Sequence, residues 1–212
     1  MARGNFNNSF WSQQFPKWAG AAAMLGGVLW VVAAFLHSLE PTGCIGLECD
    51  TRAMRNTSAI VALVSFAALV LILVGVSGLM LLARQSGRHT KLATTGMFLV
   101  AFGLVMLLAG GLIQALFFSG DFPGMPFIVI PALLGVVVGL LLIGIFILRS
   151  DVLPRWLGVF FIVSSVALVA ANEQTVAVLL FIPFGLAMAA AGYLMWAGGT
   201  QYATAPARGL KA

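Results

Sequence analysis

Apolar positions gather into six long runs, at about 18–36, 59–83, 92–118, 127–148, 156–171 and 175–197, and polar residues are confined mainly to the segments between them. No run alternates apolar and polar positions, as the strands of a membrane barrel do over about ten residues. A helix needs about 20 apolar residues to cross the hydrocarbon of a bilayer. In that medium it is also the form that satisfies its own backbone hydrogen bonds. The pattern predicts an all-α membrane protein, a bundle of six transmembrane helices forming a single transmembrane domain over residues 1–212.

Composition strengthens this reading, because 61% of residues are hydrophobic and only 8% charged, against about 25% charged in soluble domains. The formal charge of +5 does not point to nucleic acid, since the eleven Lys and Arg are scattered singly with no basic block. They suit an anionic lipid surface, and the bilayer is the first partner implied. Their placement gives a topology. Arg3 and Lys17 precede the first run; Arg84, Arg88 and Lys91 follow the second; Arg149 and Arg155 follow the fourth; Arg208 and Lys211 end the chain. The alternate loops hold Glu40, Glu48 and Asp50 with Arg52 and Arg55, then Asp121, then Glu173, so five of the six acids lie there. The positive-inside effect then puts both termini in the cytoplasm, and Trp11, Trp18, Trp156 and Trp196 fall at the cytoplasmic interface with only Trp30 at depth. The first run also has the layout of a signal peptide. It exceeds the usual 7–15 apolar residues, however, and Val32-Ala33-Ala34-Phe35 is a poor cleavage site, so a retained helix is expected.

The inside-to-outside runs share a glycine followed by bulky apolar residues, at Gly27, Gly96 and Gly158, and two returning runs end alike at Gly78 to Arg84 and Gly144 to Arg149. Three copies of a helical hairpin would give this pattern, and so would the ordinary use of glycine in membrane helices. Small residues at helical spacing, Gly135 with Gly139 and Gly185 with Ala189, predict close helix packing, first of all between the fourth and sixth helices, with an oligomer interface as the alternative. Pro131 and Pro183 each remove a backbone hydrogen bond and predict bends in the outer third of a returning helix.

Cys44 and Cys49 share one outer loop beside Gly43 and Gly46, and a structural disulfide is the expectation in an oxidising compartment. Their spacing is not that of a redox Cys-x-x-Cys, and no further thiol supports a metal. His37 and Glu40 stand one helical turn apart at the same end as Gln114, Asp121, Asn172 and Glu173. These residues either converge on an outer polar pocket, with His37 and Glu40 able to pass a proton or bind a metal, or simply mark the water boundary. No Asp, Glu, Lys or Arg occurs within the depth of any run, which argues against a proton relay or ion path. With His37 and His89 at opposite faces, and with neither a Walker A loop nor a dinucleotide fingerprint, no cofactor and no resident metal are expected.

At Leu153-Pro154-Arg155-Trp156-Leu157-Gly158 the chain resembles a loose group of uncharacterised bacterial multi-pass membrane proteins with an LPRWLG-like start to a late helix. Leu25-Gly26-Gly27-Val28-Leu29 is similar in style, and the likeness covers about the last third of the chain. It implies a bacterial inner-membrane protein and carries no activity. The expectation is a non-enzymatic accessory, scaffold or interaction subunit, with a membrane-protein partner or a second copy as its company. A carrier or channel for a neutral or lipid-like solute is the alternative, and an outer-face enzyme the third reading.

Overall fold

The computed structural model describes residues 14–43, 55, 57–86, 90–118, 124–150 and 152–198. They form six α-helices and no strand: α1 (Phe15–Ser38), α2 (Ala59–Ser86), α3 (Thr90–Phe117), α4 (Met125–Arg149), α5 (Arg155–Ala170) and α6 (Ile182–Gly198), with a 3₁₀ helix (Val176–Phe181) leading into α6. α1 to α4, and the 3₁₀ helix taken together with α6, are each long and apolar enough to cross a membrane. The chain is a multi-pass membrane protein. α5 is shorter: its sixteen residues, at about 1.5 Å each, rise about 24 Å against a hydrocarbon core of about 30 Å.

The helices stand in a ring in chain order, and α6 returns to close it against α1. Contact is uneven around the ring. α1 is held tightly between α2 and α6, and α4 is held between α3 and α5, whereas α2 meets α3 and α5 meets α6 over much less of their length. Two three-helix halves result, α6–α1–α2 and α3–α4–α5. Glycine explains the difference. A Cβ on Gly27 would lie 2.3 Å from the Gly185 carbonyl oxygen, and one on Gly139 would lie 2.6 Å from that of Gly96. The same holds at Gly20 with the Gly192 oxygen and at Gly144 with the Gly158 oxygen, and a Cβ on Gly75 would lie 2.4 Å from the Ala23 Cβ. Within each half the backbones touch, which is how helices gain dispersion energy where lipid removes the hydrophobic drive. Across the two seams no helix glycine makes such an approach among the described residues.

Two expectations need correction. Gly135 and Gly139 pack on α3, and Gly185 and Ala189 pack on α1 near Gly27, so the anticipated contact between α4 and α6 is not what these residues make. The run at 175–197 is not one α-helix. It starts as the 3₁₀ helix, and Pro183, in the first turn of α6, marks the change of winding: Ile182 still donates its N–H to the Leu179 carbonyl, and Pro183 has no N–H with which to continue that ladder. Pro131 does lie inside α4.

Neighbouring helices run antiparallel, since Gly20 meets Gly192 while Gly27 meets Gly185, and Gly96 meets Gly139 while Gly103 meets Ala132 and Val136. Lys17, Arg84, Lys91, Arg149 and Arg155 therefore share one end, and Glu40, Arg55 and Glu173 share the other. In the half of the bundle nearer Lys17 the interior is filled by Leu79, Met97, Ile143, Phe146, Phe161 and Met188, each no more than 2% exposed.

Candidate functional site

The polar residues worth examining for chemistry lie at the end of the bundle opposite Lys17, where α1 stops and two connections cross. α1 ends at Ser38, and Leu39 and Glu40 turn back with their amides bonded to the carbonyls of Leu36 and His37. That turn brings Glu40 under the start of α2. One carboxylate oxygen accepts the Ser58 amide at 2.9 Å, so a carboxylate from the end of α1 sits on the positive end of α2. The other lies 2.5 Å from His37 Nδ1, and these two atoms, both shut away from solvent, have no other partner among the described residues. Burial alone would push the Glu40 carboxyl up. Hydrogen bonds from Ser58 and the pull of His37 outweigh that effect and hold it below its ordinary value.

Arg55 is the centre of the arrangement. The residue is only 8% exposed, and its guanidinium donates to backbone carbonyls from two separate connections. Nε donates to Pro41 at 2.8 Å and Nη2 to Glu40 at 2.6 Å, both just past the end of α1. Nη1 donates to Glu173 at 2.8 Å and to Thr175 at 3.5 Å, in the connection between α5 and the 3₁₀ helix. The planar fork suits this task, because a guanidinium offers five fixed donors and a lysine offers a single mobile point of charge. Carbonyls at the end of α1 carry partial negative charge, which compensates the buried cation.

Gln174 completes the tie. Its side-chain oxygen accepts the Arg55 amide at 2.8 Å, and its backbone oxygen accepts the Gly43 amide at 2.9 Å. A Cβ on Gly43 would lie 2.4 Å from the Arg55 backbone nitrogen, a close approach that favours glycine here. Asn172 turns the same connection by accepting the Gln174 amide at 2.8 Å, and Thr175 caps the 3₁₀ helix by accepting from Ala177 at 3.1 Å.

Of the six residues expected to form an outer pocket, His37 and Glu40 are paired, and Asn172 and Glu173 join them through backbone turns. The Glu173 side chain is exposed, and only its carbonyl takes part. Gln114 is on α3, which packs on α2 and α4, away from the elements that Arg55 ties. Cys44, Cys49 and Asp121 lie outside the described residues. Among the described residues no group of three or more His, Cys, Asp or Glu is arranged to hold a metal ion. Sequence reading missed Arg55, Gln174 and Ser58. Arg55 counted there only as a loop charge, although its separation from the scattered cytoplasmic cations was visible.

A second feature lies deeper. Trp30 of α1 meets Phe181 and Phe184 edge to face, with ring centroids 5.9 and 5.8 Å apart. The three rings wall one side of a small apolar hollow between the two halves, opposite Leu104, Leu133 and Leu168. The Trp30 indole N–H is buried with no hydrogen-bond partner among the described residues.

Comparison with protein-family models, with curated proteins and with solved structures finds no match to this chain.

Proposed function

We propose that this protein is a non-enzymatic accessory or scaffold subunit of a bacterial cytoplasmic membrane, with both termini cytoplasmic and the Arg55 end outside. One observation carries the reading: the polar groups at the Arg55 end are spent on holding the backbone. The guanidinium binds four carbonyls, the Glu40 carboxylate binds an amide and His37, and Gln174 bridges Arg55 and Gly43. A general acid or base must reach a substrate proton, and groups held in this way are positioned for architecture. The filled interior near Lys17 likewise speaks against a solute path through the bundle. The charge distribution supports the orientation, since every described cation except Arg55 is at the Lys17 end. The LPRWLG-like start of α5 supports the bacterial assignment, and the packing of α1 on both α2 and α6 supports its retention in the mature protein. Cys44 and Cys49 would close a disulfide in the external loop that leads to Arg55.

Co-purification from native membranes in mild detergent tests the proposal. A membrane-protein partner at fixed stoichiometry is the expected result, with solute flux into proteoliposomes at the level of empty vesicles. Saturable flux or turnover by the purified protein alone would overturn it.

A further inference from the structure

The apolar part of the molecule is not equally tall all round. On α2 the stretch between Ser58 and Arg84 runs from Ala59 to Ala83, about 38 Å, and on α4 Met125 to Leu148 rises about 36 Å. On α5 the stretch between Arg155 and Asn172 runs only from Trp156 to Ala171, about 24 Å against a hydrocarbon core of about 30 Å. A helix that is too long tilts to fit, but one that is too short cannot be stretched. Nor can α5 slide. Near its start its backbone lies on α4, where a Cβ on Gly158 would stand 2.8 Å from the Gly144 oxygen, and beyond its far end Arg55 holds the Glu173 carbonyl at 2.8 Å. From the Gly144 contact α4 runs on to Met125, whereas α5 ends at Ala170, about 10 Å sooner. The shortfall therefore lies at the Arg55 end. Long charged side chains reaching for water would relieve it, but Asn172 and Glu173 are short, and Arg55 is spent on backbone carbonyls. The outward face of α5 indicates what covers it. Trp156, Val159, Val163, Val166 and Val169 are each more than half exposed, and no glycine stands among them. Close helix contacts within this bundle are made by glycine, so this ridge of side chains suits acyl chains better than the backbone of another helix.

We propose that the outward face of α5 is a lipid-binding surface that selects phospholipids with shorter acyl chains than the surrounding bilayer, and so keeps a thin patch of membrane beside the protein. The headgroups of that patch descend at the Arg55 end to the level of Asn172 and Glu173, while Arg155 and Trp156 fix the opposite boundary. The long faces of α2 and α4 impose no such demand, so the selection is confined to one side of the bundle. The surface goes beyond the scaffold reading and does not depend on it.

The test places the photo-reactive residue benzoylphenylalanine in full-length protein at Val163 or, as the reference, at Val74, an exposed valine on the long α2. Each protein is reconstituted into vesicles of dimyristoleoyl and dieicosenoyl phosphatidylcholine in equal amounts and irradiated, and the captured lipids are identified by mass spectrometry. The ratio of short-chain to long-chain lipid should be about 3–10-fold higher at Val163 than at Val74, because each ångström of mismatch carries a small cost that accumulates over the shortfall. Both positions face acyl chains, so both should yield lipid adducts. Equal ratios at the two positions would overturn the proposal, and so would capture of a second copy of the chain in place of lipid at Val163. The ratios are read on purified protein and are indifferent to whether a partner co-purifies, so the two ideas fail separately.

Discussion

Arg55 shows how much one side chain can hold at the edge of a membrane domain. Replacing it with leucine leaves at least three well-placed carbonyl bonds unmade, and charged hydrogen bonds of this kind contribute about 1.5–3 kcal/mol each before the relaxation of water into the gap. Arg55→Leu should therefore destabilise the protein by about 2–4 kcal/mol. Arg55→Lys should recover only part of this, because an ammonium cannot span both connections. Unfolding in mixed micelles measures both. Glu40 gives a pH signature. Its carboxyl is held below the ordinary value in the folded protein, so the unfolded chain binds a proton first as pH falls, and the stabilisation is full at neutral pH and lost below about 4.5. The thermal midpoint of wild type should fall more steeply than that of Glu40→Gln as pH drops from 5 to 3, and parallel curves would refute the role assigned to this carboxylate. Neither residue's part was legible in the sequence. His37 and Glu40 could be paired from their three-residue spacing, but the partners of Arg55 lie more than a hundred residues away in one direction, and charge alone pointed to topology.

At the scale of the helix, the sequence was far more readable. Six apolar runs foretold six helices because in lipid no other form closes its hydrogen bonds. Where the runs failed was in direction and winding. These helices are apolar on nearly every face, so no polar stripe reports which side meets which neighbour, and Gly135 and Gly185 could be recognised as contacts without revealing their partners. The 3₁₀ turn before Pro183 was invisible because Val176 to Phe181 is as greasy as any α-helix. Glycine contacts can now be ranked. Gly27→Ala places a methyl 2.3 Å from the Gly185 oxygen, and forcing α1 and α6 apart should cost about 1–3 kcal/mol. Gly111, which has nothing within 4 Å of its would-be Cβ, should accept alanine within about 0.5 kcal/mol. Equal effects of the two substitutions, measured by unfolding in the same detergent, would show that the close approach carries no weight.

For the molecule as a whole, charge and packing tell one story. Loop charges predicted an alternating topology, and the antiparallel ring separates Lys17, Arg84, Lys91, Arg149 and Arg155 from Glu40 and Glu173 by the full height of the bundle. Reporter fusions after Arg84 should be active only in the cytoplasm, and fusions after Glu173 only outside. The reverse pattern would invert the account of which end faces the cell. The division into two halves was beyond sequence reading, since it depends on which glycines meet, and so was the hollow between them.

The closing contact of the ring also has a temporal meaning. α1 is the first of these helices to leave the ribosome and α6 the last, yet Gly20 and Gly27 complete their packing only against Gly192 and Gly185. Arg55 likewise waits for Glu173 and Thr175. During synthesis α1 must stay in the bilayer with one flank unmatched until α6 has been made. A nascent chain stalled before α6 presents that bare flank to whatever membrane protease or chaperone surveys it. Quality control thus has a simple mark by which to tell a finished molecule from an unfinished one.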